Sequence, residues 1–282
     1  MYSTRKIIFL SIVTLFSIFA MLSFLNIGSE FTAERMLFDA TTVNQGVPLN
    51  PTETVLGTQR QVESKLKEII RRFPGGESAK QAHISLAAMY MQNERYSDAA
   101  AVSDKIVKRY KKDRGLVSKA RFIKAKSYEL KERWDKAFRE LEYLQYNYGD
   151  TYLGLQVPLY IAQYNKNAGN EAEAQELCRK AVGFYKDKRE KNENTWIGYM
   201  ASDLLVMTYI LLEEYENAGR IIKNVILNYP THFEPQQISR IELVFTEKLN
   251  RPHETVRIFK NIIAKTENKA LKNFLISRIN NM

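Results

Sequence analysis

Residues Leu86–Val107, LAAMYMQNERYSDAAAVSDKIV, decide how the rest of the chain is interpreted. The stretch predicts a helix, a short polar turn and a second helix, because apolar residues recur at helical spacing on both sides of the turn. Small and large side chains share its packing positions, which are Leu86, Ala87, Tyr90, Tyr96, Ala99 and Ile106. A small residue lets two helix backbones cross closely, and a large one fills the space beside the next pair. The stretch therefore predicts a helical hairpin that packs against another hairpin.

The same arrangement of small and large residues returns along the chain. Full copies have Ala125, Tyr128, Trp134, Ala137, Leu141 and Leu144, and then Leu205, Tyr209, Tyr215, Ala218, Ile222 and Val225. A looser copy, with one extra residue expected in its turn, has Tyr164, Ala174, Cys178 and Ala181. Partial copies have Val62, Leu66, Ile69 and Pro74 at the start, and Leu243, Thr255, Phe259 and Ile262 at the end. Such self-similarity is the signature of a helical repeat protein.

At these positions the chain resembles the tetratricopeptide-repeat family, from Gln59 to Ala264. The segments Phe73–Tyr90 (FPGGESAKQAHISLAAMY) and Asn93–Val102 (NERYSDAAAV) are similar to those of bacterial cell-envelope members, such as the outer-membrane assembly lipoprotein D and the Tol-associated periplasmic coordinator. The chain lacks the lipoprotein cysteine of the first and the coiled-coil segment of the second. The resemblance implies an all-α fold, a right-handed α-solenoid of about five helical hairpins, because one hairpin cannot bury its apolar face alone.

An apolar segment, Ile7–Leu25 (IIFLSIVTLFSIFAMLSFL), lies near the N-terminus. As a helix it would span about 28 Å, close to the thickness of the bilayer core. Arg5 and Lys6 precede it, so the positive-inside rule places the body of the chain across the membrane. The segment is longer than a cleaved signal requires, and no A-x-A site follows it. We therefore expect an uncleaved inner-membrane anchor with the body in the bacterial periplasm, with export after cleavage as the alternative.

Three regions follow from these patterns. Residues 1–29 are predicted to be the signal anchor or uncleaved signal peptide, residues 30–58 a short helix and a linker, and residues 59–282 the repeat domain. The short helix is expected at Thr32–Ala40. The linker is indicated by turn-forming residues, which are Gly46, Pro48, Pro51 and Gly57.

No motif for catalysis, metal binding or cofactor binding emerges from the sequence. His83, His232 and His253 are far apart, and none belongs to an H-E-x-x-H pair. Cys178 occupies a helix-packing position, where a buried and inert thiol is expected. We therefore expect no enzyme activity, no metal and no cofactor.

The chain is basic, with a formal net charge of +10. Leaving out Arg5 and Lys6 gives 40 basic against 32 acidic residues, a net charge of +8. The densest basic run is Lys105–Arg114, KIVKRYKKDR, at the predicted end of a helix. One interpretation is a solvated, lysine-rich helix surface; the other is a surface that binds an anionic envelope polymer or lipid headgroups. No nucleic acid partner is expected.

The resemblance implies that the first helix of each hairpin lines a concave face. The corresponding positions in this chain are Gln81, Ile84, Met91, Lys119, Phe122, Lys126, Leu155, Met200, Asp203, Met207 and Ile210. Because they are largely apolar, we expect an apolar helix or an extended segment as the occupant. The alternative is that these side chains only pack against neighbouring helices or the N-terminal segment. The predicted function is a non-catalytic envelope scaffold or adaptor that binds a protein partner through this face.

Pro158 follows Val157 within a predicted helical stretch. Because a proline lacks an N–H group, we expect it in the first turn of a helix, where the missing donor is harmless.

Overall fold

A computed structural model describes residues 30–41, 52–229 and 235–282 of the chain. Those residues are almost wholly helical and contain no β-strand. The first helix, α1, covers residues 30–41. The others are α2 Thr52–Arg72, α3 Glu77–Gln92, α4 Tyr96–Arg109, α5 Arg114–Glu129, α6 Trp134–Tyr148, α7 Tyr152–Asn167, α8 Glu171–Lys191, α9 Trp196–Leu211, α10 Tyr215–Asn228, α11 Pro235–Ile241, a π-helical segment Glu242–Lys248, α12 Pro252–Lys265 and α13 Lys269–Asn280.

The predicted membrane anchor, residues 7–25, lies outside the described residues. Among the helices that the structure does describe, none combines the length and the apolar character needed to cross a membrane.

The chain divides into two compact units, Met1–Leu141 and Glu142–Met282. The division falls within α6. The prediction of a linker up to residue 58 is wrong for its last part, because α2 already begins at Thr52. Residues 42–51, which hold three of the four turn-forming residues of that prediction, lie outside the described residues.

The short helix α1 packs onto the first unit, in agreement with the helix expected at Thr32–Ala40. Ala33 and Ala40 are fully buried in the same core as α2 and α3. The carboxylate of Glu30 accepts hydrogen bonds from the backbone N–H and the hydroxyl of Ser78, both at 2.8 Å. An acidic side chain is favourable at this position, because the first N–H groups of α3 are unpaired and the helix dipole is positive there.

A residue in the left-handed backbone region ends the first helix of each hairpin. These residues are Glu94 (φ 58°), Glu132 (φ 58°), Gly169 (φ 80°), Glu213 (φ 62°) and Asn250 (φ 53°). In the first copy the next N–H group, that of Arg95, donates to the carbonyl of Tyr90 at 2.8 Å. The equivalent bond recurs in the next three copies, and this pattern is the Schellman motif that closes a helix C-terminus. In the last copy, whose first helix ends in the π-helical segment, the N–H of Arg251 donates instead to the carbonyl of Phe245, six residues earlier.

The turns make the hairpins more regular than the sequence suggests. The helices α3, α5, α7 and α9, which precede the first four turns, each have 16 residues. The helices that follow the turns have 14 residues in α4 and α10, but 21 in α8. The predicted packing alanines Ala87, Ala99, Ala137 and Ala218 are all fully buried. The all-helical repeat-like architecture is thus confirmed.

Two glycines with open space around them test the turn geometry. A side chain added at Gly169 or at Gly183 would meet nothing within 4 Å, so steric clash plays no part at either position. Gly169 has a left-handed φ, whereas Gly183 lies within helix α8. We expect Gly169→Ala to lower the free energy of unfolding by about 1 kcal/mol, and Gly183→Ala to raise it by about 0.5–1 kcal/mol.

Urea denaturation followed by far-ultraviolet circular dichroism measures both changes. The two substitutions are chemically identical, so each serves as the control for the other. Two shifts of the same sign would contradict the left-handed turn at Gly169.

Candidate protein-binding groove

A cleft of the second unit lies between α7, α9 and α11 and has a volume of about 650 Å³. These helices come from consecutive parts of the repeat pattern, so the cleft is a groove along one face of the stacked hairpins. Its lining residues are Tyr152, Gln156, Leu159, Tyr160, Gln163, Trp196, Tyr199, Met200, Asp203, Leu204, Met207, Gln236, Gln237 and Arg240. We call this set the groove.

Three of the predicted contact residues on α9 line this groove, namely Met200, Asp203 and Met207. All three are half-buried. The fourth, Ile210, lies further along α9 and packs against the core of the unit instead.

On α7 the predicted register is wrong by one residue. Leu155, predicted to face the groove, is fully buried in the core, and its neighbour Gln156 lines the groove instead. The error arises at the turn, because Tyr164 does not correspond to the tyrosine that precedes the turn in the other copies, such as Tyr90. The N–H of Asn170 bonds to the carbonyl of Asn165, so Asn165 is the true equivalent. The turn therefore has no extra residue.

Asn165 does not match the repeat pattern, because it is polar at a position where the other copies have an aromatic residue. It is buried, and its amide donates to the carbonyl of Ile161 at 3.0 Å. The hydrogen bond offsets the cost of burying an amide, so the position tolerates a polar side chain that no apolar pattern can reveal.

A different sequence signal gives the correct register. The hydroxyls of Thr151 and Thr195 each cap a helix by accepting from the N–H three residues on, in Gly154 at 3.2 Å and in Gly198 at 3.3 Å. Both glycines are required, because a Cβ atom would lie 1.8 Å from the Tyr148 carbonyl oxygen or 2.2 Å from that of Asn192.

This T-x-x-G pattern occurs at the start of α7 and at the start of α9, and a third copy, Thr54–Gly57, lies inside α2. Aligning the copies of α7 and α9 pairs Tyr152 with Trp196 and Gln156 with Met200. All four residues line the groove.

The wall of the groove at α7 is anchored by a buried tyrosine on the neighbouring helix. Pro158 is the seventh residue of α7, so the prediction that it lies in the first turn is wrong. The hydroxyl of Tyr185 inserts beside it, accepting from the N–H of Leu159 at 3.2 Å and donating to the carbonyl of Leu155 at 2.8 Å. Tyr185 is fully buried, and this burial raises the pKa of its hydroxyl, which therefore stays protonated as a donor.

The only charged side chains that line the groove in the described part of the chain neutralise each other. Arg240 on α11 donates to a carboxylate oxygen of Asp203 on α9 at 2.5 Å. The side-chain amide of Gln237 lies 3.4 Å from the same oxygen and also donates to the hydroxyl of Tyr199. These contacts join α9 to α11 and leave the groove without net charge.

An aromatic pair stands at one end of the groove. The rings of Tyr152 and Trp196 are 6.1 Å apart and tilted by 36°. Their exposed fractions are 53% and 48%, although large aromatic side chains usually bury much more of their surface. Exposed aromatic residues beside a half-buried apolar floor are typical of a binding surface.

The predicted contact residues of the first unit lie on two neighbouring helices. Gln81, Ile84 and Met91 are on α3, and Lys119, Phe122 and Lys126 are on α5. The Ser127 hydroxyl of α5 donates to the sulfur of Met91 at 3.0 Å, which shows how closely the helices pack. Gln81 and Lys119 are exposed and the other four are half-buried. Within its own unit, this set therefore forms a mixed apolar and basic surface.

The histidine and cysteine side chains considered for chemistry, His83 and Cys178, are both buried among the helices. The Nδ1 atom of His83 lies 2.9 Å from the carbonyl of Ala79, and burial lowers the pKa of the imidazole. Cys178 is buried, and burial raises the pKa of its thiol. Among the described residues, no group of three or more His, Cys, Asp or Glu side chains could hold a metal ion.

The Tyr185 anchor can be tested directly. We expect Tyr185→Phe to lower the free energy of unfolding by about 1–2 kcal/mol, because the buried carbonyl of Leu155 loses the donor that the hydroxyl supplies. Urea denaturation measures the change. The matched control is Tyr146→Phe on α6, because Tyr146 is 90% exposed and the same substitution there should leave stability unchanged. Equal stability of the two variants would exclude a structural role for the Tyr185 hydroxyl.

Sequence comparisons with known proteins found no relative of this chain. No protein-family model matches the chain, and no curated protein matches it.

Proposed function

We propose that this chain is a non-catalytic scaffold or adaptor that binds a protein partner through the groove of its second unit. The observation that carries the proposal is a cleft that crosses three helices, has a half-buried methionine floor and keeps two large aromatic side chains exposed. Methionine side chains adapt to apolar contacts of different shape, which suits the recognition of another protein.

The proposal includes the type of repeat and the location of the protein. We take the hairpins to be tetratricopeptide-like repeats that form a right-handed solenoid, because of the small and large packing positions and the repeated turns. The apolar segment at residues 7–25 supports a location in the bacterial envelope, with the body in the periplasm.

Site-specific photocrosslinking in cells that produce the protein tests the groove. A benzophenone amino acid at Gln163, which lines the groove, is expected to give a discrete adduct with a protein partner. The same probe at Lys180, an exposed position on α8, is expected to give none. Met207→Asp should remove the Gln163 adduct, because a carboxylate in the apolar floor would lose its hydration when a partner binds.

Circular dichroism of the Met207→Asp variant shows whether it is folded. An adduct from Lys180 that equals the one from Gln163, or a Gln163 adduct that survives Met207→Asp in a folded protein, would rule out the groove as the binding site.

A second function is supported by the basic surface of the first unit. Cationic side chains cluster at the end of α4 and in the turn that follows it, and these exposed residues are Lys105, Lys108, Arg109, Lys111 and Lys112. The acidic residues nearest in sequence are already paired, Asp104 with Lys124 at 2.8 Å and Asp113 with Lys80 at 3.1 Å. The cluster therefore presents uncompensated positive charge, which suits an anionic polymer or lipid headgroups.

Salt dependence distinguishes this second function from the first. If the basic cluster binds anionic lipid, the full chain should bind vesicles containing phosphatidylglycerol through it, and reversing Lys108 and Lys112 to Glu should weaken that binding at least tenfold. The matched control reverses Lys180 and Lys191, two exposed lysines of α8 that are each paired with an acid. Vesicle sedimentation at low and moderate salt measures the effect. Binding that is unchanged by both salt and the Lys108 and Lys112 reversals would exclude this function.

A further inference from the structure

The charge of the groove restricts what can occupy it. Asp203 and Arg240 form an ion pair, and their side chains are only 17% and 19% exposed. A charged occupant would compete with this pair or remain uncompensated in a partly dehydrated cleft, which is costly. The groove therefore favours an occupant without charge.

The glutamine side chains of α7 that line the groove can form hydrogen bonds with the backbone of an occupant. Gln156 and Gln163 line the groove, and neither amide has a hydrogen-bond partner within the described part of the chain. At the end of the groove, the indole of Trp196 can only donate a hydrogen bond. A helical occupant bonds its own backbone groups internally and would leave these side chains unpaired. An extended segment keeps its carbonyl groups free to accept from them.

The dimensions of the groove also favour an extended segment. A helix about 10 Å across would fill 650 Å³ within roughly one and a half turns. Along α7, the lining runs from Tyr152 to Gln163, about 16 Å at the helical rise per residue. A polyproline II segment of about five residues has this length.

The aromatic pair favours proline among the residues of such a segment. Proline rings pack on the exposed faces of tryptophan and tyrosine rings. Tyr152 and Trp196 present such faces at the end of the groove. Proline also removes backbone N–H donors, so a proline-rich segment presents mainly acceptors to the indole and amide donors of the groove.

We propose that the occupant of the groove is an uncharged, extended, proline-rich segment of the partner protein, an inference that rests on the proposed function. Its carbonyl groups accept from the groove donors while its proline rings pack on Tyr152 and Trp196. A neutral oligosaccharide would also pack on aromatic rings. Its binding is therefore one of the outcomes of the test below.

Tryptophan fluorescence of the full chain tests the inference. The chain has two tryptophans, so Trp134→Phe leaves Trp196 as the only reporter. We expect the blocked peptide PPAPPAPPAP to change the Trp196 emission in a saturable way, and the blocked peptide GSAGSAGSAG to have no effect. Tyr152→Ala should weaken binding about fivefold or more through loss of ring packing. The matched control Tyr146→Ala, far more exposed and not part of the groove lining, should leave the affinity unchanged.

Two further ligands test the alternative occupants, a helix and a neutral oligosaccharide. A neutral helical peptide of alanine, leucine and glutamine, or chitohexaose, that titrates Trp196 when the proline peptide does not would overturn the inference. An absence of binding by all four ligands, or equal binding of the two extended peptides, would overturn it as well. The Gln163 photoadduct separates this failure from that of the proposed function: if the adduct persists, the groove binds a protein segment of another kind, and if it is absent, the groove is not the protein-binding site.

Discussion

The hydrogen bond that closes the first helix of each hairpin determines how the side chains of this chain are distributed. In the first four turns it runs from the N–H of the residue after the left-handed position to a carbonyl five residues earlier, as from Arg95 to Tyr90, and in the last turn to a carbonyl six residues earlier. Because it ends one helix and sets the start of the next, it determines which faces of both helices are buried. The division of each hairpin into buried and outward faces therefore depends on this backbone contact.

The groove depends on both apolar packing and local polar contacts. Packing of α7, α9 and α11 produces a cleft, but its charged lining is neutralised by the Asp203–Arg240 pair, and its α7 wall is attached to α8 by the Tyr185 hydroxyl. Neither contact is implied by hydrophobic periodicity. Such satisfied polar contacts favour one packing arrangement, because breaking either would leave a buried or half-buried polar group without its partner.

Much of the fold could be predicted from the sequence, because the packing positions are occupied by residues of distinctive size. Ala87 and Ala218 identify helix crossings correctly, and Met200, Asp203 and Met207 were placed on the face that forms the groove. The α7 register failed, since a buried asparagine is satisfied by contacts that sequence spacing cannot show. Pro158 was misplaced for a related reason: the tyrosine that bonds beside it is distant in sequence. The membrane anchor and the partner stay predictions.

The extra length of α8 has a consequence for how this chain tolerates change. Helix α8 has 21 residues where α4 and α10 have 14, and seven residues make almost two complete helical turns. An insertion of that size moves the following residues along the helix axis while returning them to nearly the same angular position. The helices of the second unit that contact α8 can therefore keep their facing residues in phase. Length variation in such a protein is expected to come in steps of whole turns, because intermediate lengths would rotate apolar side chains into water.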